Sequence, residues 1–187
     1  MSIVLQGSTS GSVTLQEPAV AGTTVLTLPA VSGTVLTTGS SGQSIPKAAL
    51  PTGSVLQVVN ATDTTERNTT STSFGTASNT LSVTITPTSA TSKIYIVANT
   101  GVFKATGGSG FATIYRASTN LGGAGGMAQW QQAVYSSLCI SYLDSPATTS
   151  ATTYQLYFRS SDSNPAYINS NNGGGLVCSL TAFEIAA

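Results

Sequence analysis

Histidine is absent from the 187 residues, and only 6% of them are charged, against about 25% in an ordinary soluble chain. Without imidazole, neither a Ser–His–Asp nor a Cys–His nucleophilic arrangement can be assembled. Two lone cysteines do not make a tetrahedral metal set, so no metal or cofactor is expected. Six basic residues balance six acidic ones, for a net charge of zero. Such a chain has no electrostatic means of seeking phosphate backbones or anionic lipid, which argues against nucleic acid and membrane partners. The acidic residues Glu17, Asp63, Glu66, Asp144, Asp162 and Glu184 are scattered, whereas a glycosidase needs two carboxylates roughly 5–10 Å apart across a cleft. Asp63 and Glu66 are close in sequence, but they sit in a polar stretch with Arg67 beside them. The run Gly122–Gly126 (GGAGG) lacks the Lys-Ser/Thr of a phosphate-cradling loop and reads as a hairpin tip. No catalytic residue is expected, and the chain reads as a non-enzyme.

Serine and threonine, by contrast, supply roughly three residues in ten, and Thr favours strands through its β-branching. Between residues 1 and 45 the chain repeats. Glycines recur every eleven residues at Gly11, Gly22 and Gly33, and LxxPAVxG occurs as Leu15–Gly22 and again as Leu26–Gly33. The β runs Ser12–Leu15, Thr23–Leu28 and Thr34–Thr38 are too thin to have a core, so this segment is expected to be a β-repeat arm that stacks on something else. The Gly- and Pro-bearing stretch 46–53 reads as a hinge.

Over residues 54–187 the pattern changes to strands. Candidates are Ser54–Asn60, Thr80–Thr86, Lys93–Phe103, Gly110–Ala117, Ser137–Leu143, Thr152–Arg159, Ala166–Asn169 and Gly175–Ile185. Alternation points Ile94, Ile96 and Ala98 to one side, and likewise Leu138, Ile140 and Tyr142, and Tyr154, Leu156 and Phe158. Eight strands with no helical period predict an antiparallel, jelly-roll-like β-sandwich. Thr62–Ser78 and Leu121–Ala133 are expected as polar loops, and the stretch Gly126–Ser137 offers Trp130 and Tyr135 as a candidate glycan or subunit contact. Cys139 and Cys178 form a candidate disulfide if their strands are neighbours; folding in a cytosol favours two buried free thiols. MSIVLQGSTSG has no basic start and only a short apolar run, so no secretion signal is read. The closing LTAFEIAA should lie in a sheet, with Phe183 and Ile185 as core or interface.

GSVLQVVNATDTT, LSVTITPTSATSKIYIVANTGV, LDSPATTSATTY and LTAFEIAA, behind the stem-like GSVTLQEPAVAGTTVLTLPAVSGTVLTT, resemble the C-terminal region of tail-fibre-like virion proteins. These occur in tailed bacteriophages, especially those of cyanobacteria and other aquatic bacteria. The resemblance implies a homotrimeric β head on a β stem, exposed on a virion, made in the host cytoplasm and released by lysis. Three units of eleven reach at most about 100–120 Å when fully extended, short for a receptor-seeking fibre. A capsid decoration (cement) protein or short head fibre is therefore expected, with the major capsid protein or a tail or collar adaptor as partner. Its arm would attach by strand addition and through Val13, Leu15, Val25, Leu26, Leu28, Val35 and Leu36. The alternative is a tail-fibre head that recognises host surface glycan.

Overall fold

In the computed structural model of the protein, described over residues 3–6, 9–15, 47, 50–131, 134–171 and 174–187, the named elements are all strands. The chain divides into two compact units, Met1–Ser44 and Ile45–Ala187. In the smaller one, β1 (Ile3–Gln6) and β2 (Ser12–Leu15) form an antiparallel hairpin with Ile3 opposite Leu15. Gly11 takes φ +77° in its turn, a conformation that favours glycine. Val13 and Leu15 lie on β2, while Val25, Leu26, Leu28, Val35 and Leu36 lie outside the described residues.

The larger unit consists mainly of two antiparallel sheets. Its strands in chain order are β3 (Val55–Asp63), β4 (Arg67–Thr69), β5 (Ser82–Ile85), β6 (Lys93–Lys104), β7 (Ser109–Arg116), β8 (Thr119–Asn120) and β9 (Ala128–Gln131). They continue as β10 (Ser136–Asp144), β11 (Thr152–Ser160), β12 (Ala166–Ile168), β13 (Ser170–Asn171), β14 (Gly174–Gly175) and β15 (Cys178–Ile185). The first sheet is organised around β6. One of its edges carries β15 and then β12; β10 runs along the other, spanning Ile94 to Val102. β3 completes the sheet beyond β15, and β4 pairs with β12. The second sheet has the order β5-β11-β7, and the far edge of β7 is shared by β8 and β9.

Alternation places one set of residues from each sheet between the two. Ile94, Ile96, Ala98, Leu180 and Ala182 on the first meet Val83, Ile85, Ile114, Tyr154, Leu156 and Phe158 on the second, in a single buried cluster. Each fully buried Leu, Ile or Phe contributes about 1.5–3 kcal/mol. The two stretches expected as loops both contain paired strand. β4 lies within Thr62–Ser78, and β9 lies within Leu121–Ala133 and brings Trp130 opposite Gly110. The chain enters the first sheet beside the point where its last strand ends. The Gly53 amide donates to the Ala186 carbonyl (2.8 Å), and the Ala186 amide donates to the Ser54 carbonyl (2.9 Å).

Candidate functional site

Among the described residues, each acidic side chain accepts a hydrogen bond from within the chain; Asp63, Asp144 and Glu184 are buried, while Glu66 and Asp162 lie at the surface. Asp144 takes both oxygens to Arg116 Nη1 (2.8 Å each) and accepts the Tyr154 phenol at 2.7 Å, tying β10 to β7 and β11 across the core. Burial, reinforced by the hydrogen bond to Asp144, pushes the Tyr154 phenol far above its usual range. Glu184 is fully buried, and among the described residues no cation is paired with its oxygens. It accepts from the Thr88 amide (2.6 Å), the Thr88 and Ser92 hydroxyls (2.7 and 2.8 Å) and Gln57 Nε2 (2.6 Å). Burial alone would raise its pKa, but these donors outweigh it and hold the carboxyl below the usual range. Asp63 is held low in the same way. Burial opposes ionisation, and the amides of Thr80 and Thr65 (2.9 Å each) together with Arg67 overcome it.

At the other end of the first sheet, the buried Lys104 ammonium lies 2.9 Å from Asp162 and donates to the carbonyls of Thr106 and Asn164. The Lys104 hydrogen bond holds the Asp162 carboxyl well below the usual range. Ser170 donates to Glu66 at 2.5 Å. The Asp63–Glu66 pair that stands out in the sequence is therefore split between two internal tasks.

Register brings together a different pair. Asp144 and Glu184 both lie opposite Ile94, one on each side of it, about 9–10 Å apart at two strand spacings. That separation falls near the range of a glycosidase pair, but Ile94 is fully buried between them and both carboxylates lie in the core. No group of three or more His, Cys, Asp or Glu able to hold a metal occurs among the described residues.

The residues singled out from the sequence are placed differently from one another. Trp130 is a correction: it is only 5% exposed, part of the core, and its indole N–H donates to the Phe103 carbonyl at 3.0 Å. A Cβ at Gly110 would collide with this indole, so the glycine makes the space that the Trp fills. Tyr135 remains at the surface, 43% exposed and stacked on Phe103 with ring centroids 4.2 Å apart; Tyr167 lies 5.8 Å from Phe103 on another side. The candidate disulfide is not formed, and both thiols are free. β6 runs between β10 and β15, so the two cysteine strands are not neighbours. Their separation of about two strand spacings exceeds the roughly 7 Å a bridge allows. The side chains also face opposite sides, Cys139 outward and Cys178 into the core.

The outer faces carry what remains. On the second sheet, Tyr115 stacks on Tyr157 at 4.0 Å, and the Arg159 guanidinium lies 4.3 Å from the Phe111 ring centroid and 5.1 Å from that of Phe74. Thr84 and Thr153 share a 2.8 Å hydrogen bond there. On the first sheet, Leu143, Tyr95, Phe183 and Val58 lie directly opposite one another across β10, β6, β15 and β3, forming one apolar row. Leu143 is 56%, Tyr95 39% and Val58 53% exposed. Phe183 and Ile185 thus face outward, while Glu184 between them faces the core. The signal for this row lies in the register of four strands, which no local stretch of sequence displays. No protein family matches the chain, and no curated protein matches it in sequence.

Proposed function

We propose that this chain is a non-enzymatic structural protein of a phage virion, a trimeric capsid-decoration or short head-fibre protein whose N-terminal arm anchors it to the shell. The observation that carries this reading is the direction in which the chemistry points. The described carboxylates accept hydrogen bonds from within the chain, and the first sheet turns outward a nearly uncharged face crossed by an apolar row. That is the surface of a component that packs. A reaction would need acids or bases aimed into an open cleft.

The pairing orders β3-β15-β6-β10 and β5-β11-β7-β9 support the jelly-roll reading, an architecture of two four-stranded sheets. The repeat arm falls in its own compact unit, which supports its role as an attachment device. Three tethered arms would bind with avidity, so each contact with the capsid protein or adaptor can be weak. Quantitative mass spectrometry of purified virions tests this. Hundreds of copies are expected, relative to the major capsid protein; none would overturn the virion reading.

One observation favours the second reading, a fibre head that binds host surface glycan. The exposed Tyr135, stacked on Phe103 beside Tyr167, forms an aromatic cluster at the end of β6 remote from Lys93, and Lys93 lies at the end where the chain enters. Aromatic faces of this kind suit sugars. A few to a few tens of copies per virion, with binding to host cells abolished by Tyr135→Ala, would decide for that reading.

A further inference from the structure

The apolar row on the first sheet is contiguous, and contiguity is what separates it from the scattered exposed hydrophobics of any soluble protein. Leu143, Tyr95, Phe183 and Val58 occupy adjacent strands in one register line; Tyr95 and Phe183 are in ring contact at 6.2 Å. Val55, 52% exposed, lies one pair further on, opposite Ile185. Beyond the row the outer side chains become smaller, as in the line Ser141–Val97–Thr181–Asn60, until the far end of β6, where Phe103 is covered by Tyr135 and Tyr167. The one charge of the outer face is Lys93, at the rim, whose ammonium donates to the Ser145 hydroxyl at 2.8 Å.

We propose that this face, centred on the Leu143–Tyr95–Phe183–Val58 row, is where copies of the chain meet one another. The inference rests on the assembly reading above and assigns it a surface. Three observations identify the occupant as another copy. A charged partner would find only Lys93 at the rim, already hydrogen-bonded to Ser145, and a lipid surface would find no basic cluster, whereas identical faces with so little charge meet with little like-charge repulsion. Four strands about 4.8 Å apart and eight or nine residues long make a flat area of about 500 Å². With side-chain relief this approaches the roughly 800 Å² each partner contributes to a standard interface.

The strands that bound the face supply the third. β10 and β3 are each nine residues long and, among the described residues, pair on one side only. Neither carries Lys or Pro, and the acids at their ends, Asp144 and Asp63, are buried. An open edge is normally blunted by such residues. Bare edges and an apolar face on one sheet are what a contact with further copies would cover.

Light scattering on the full-length chain during size exclusion tests the assignment. The wild type is expected at three times the mass of one chain, and Tyr95→Lys combined with Leu143→Lys at the mass of one. Tyr157→Lys, on the second sheet, should leave the oligomer intact. A second readout needs no substitution. Cys139 is exposed on this same face and Cys178 is buried, so maleimide should modify Cys139 slowly in concentrated protein and faster on dilution. An oligomer indifferent to the double substitution but dissolved by Tyr157→Lys would overturn this face and leave the assembly reading standing. A wild type of single-chain mass at every concentration, with Cys139 equally reactive throughout, would overturn both.

Discussion

On the outer side of the second sheet, Tyr157 lies against Tyr115, and Arg159 lies over Phe111 and Phe74. On the outer side of the first, Leu143, Tyr95 and Val58 stand in a row, each more than a third exposed. Both sheets bury the same kind of residue inward, and the two inner faces share one core. The difference is that the second sheet finishes its aromatic surface with its own neighbours, while the first leaves an apolar line for something else to cover. Exposure of apolar residues by itself says little about association. What distinguishes the two faces is how far each large side chain is covered by its neighbours: Tyr95 touches Phe183 and is still 39% exposed, whereas Tyr115, Tyr157 and Phe111 are not among the exposed large apolar residues.

The comparison holds only if the two sheets are faces of one cooperative unit, and the largest effect tests that. Phe158→Ala, at a fully buried position of the second sheet, should cost about 3–5 kcal/mol through lost burial and the cavity left behind. Urea unfolding followed by Trp130 emission and by far-ultraviolet dichroism should shift together. Separate transitions would mean that the sheets melt independently and that their outer faces cannot be contrasted as parts of one body.

A smaller effect sharpens the account of the first sheet. Glu184→Ala would remove the acceptor of the buried Ser92 hydroxyl and of the Thr88 amide and Gln57 at its margin, at about 1–3 kcal/mol. Because the folded pKa of Glu184 is depressed, its contribution is fully present above the unfolded carboxylate value of about 4.3 and lost as pH falls through the lower folded value. Asp63 acts in the same sense. Urea midpoints measured from neutral pH downward should therefore fall in acid, and Glu184→Gln should flatten that fall. An unchanged slope would show that Glu184 is not held as its hydrogen bonds require.

The smallest effect belongs to the self-satisfied face. Arg159→Ala should cost about 0.5–1 kcal/mol by removing the guanidinium from the two rings, with no change of oligomeric mass. A change of mass would erase the distinction between the faces.

Strand positions were readable where alternation was uniform. Ile94 and Ile96, and Tyr154, Leu156 and Phe158, are all at 0% exposure, on the sides their spacing indicated. The same logic misleads at the last strand. Glu184 stands between Phe183 and Ile185, and a charged residue in an alternating run reads as the solvent side. It is buried because Gln57, Thr88 and Ser92, distant in sequence, converge on it. Trp130 was hidden for a related reason. Its stretch is polar and follows a glycine run, and the space it fills is made by Gly110, which reads as the start of a strand and not as half of a packing pair. The residues from Val25 to Leu36 expected to attach the arm lie outside the described residues, so the comparison of sequence with structure there is confined to β2, which spans the expected Ser12–Leu15.

The paired bonds that join Gly53 and Ser54 to Ala186 bear on how such a protein can evolve. A module whose first and last strands are hydrogen-bonded neighbours presents its incoming and outgoing chain at a single spot, and nothing has to be threaded to replace it. One recombination point just before Gly53 would transfer the whole two-sheet unit onto a foreign repeat, or place a new one behind this arm, with every long-range pairing of β6 travelling intact. The arm and the two-sheet unit could then change independently, by exchange at one junction.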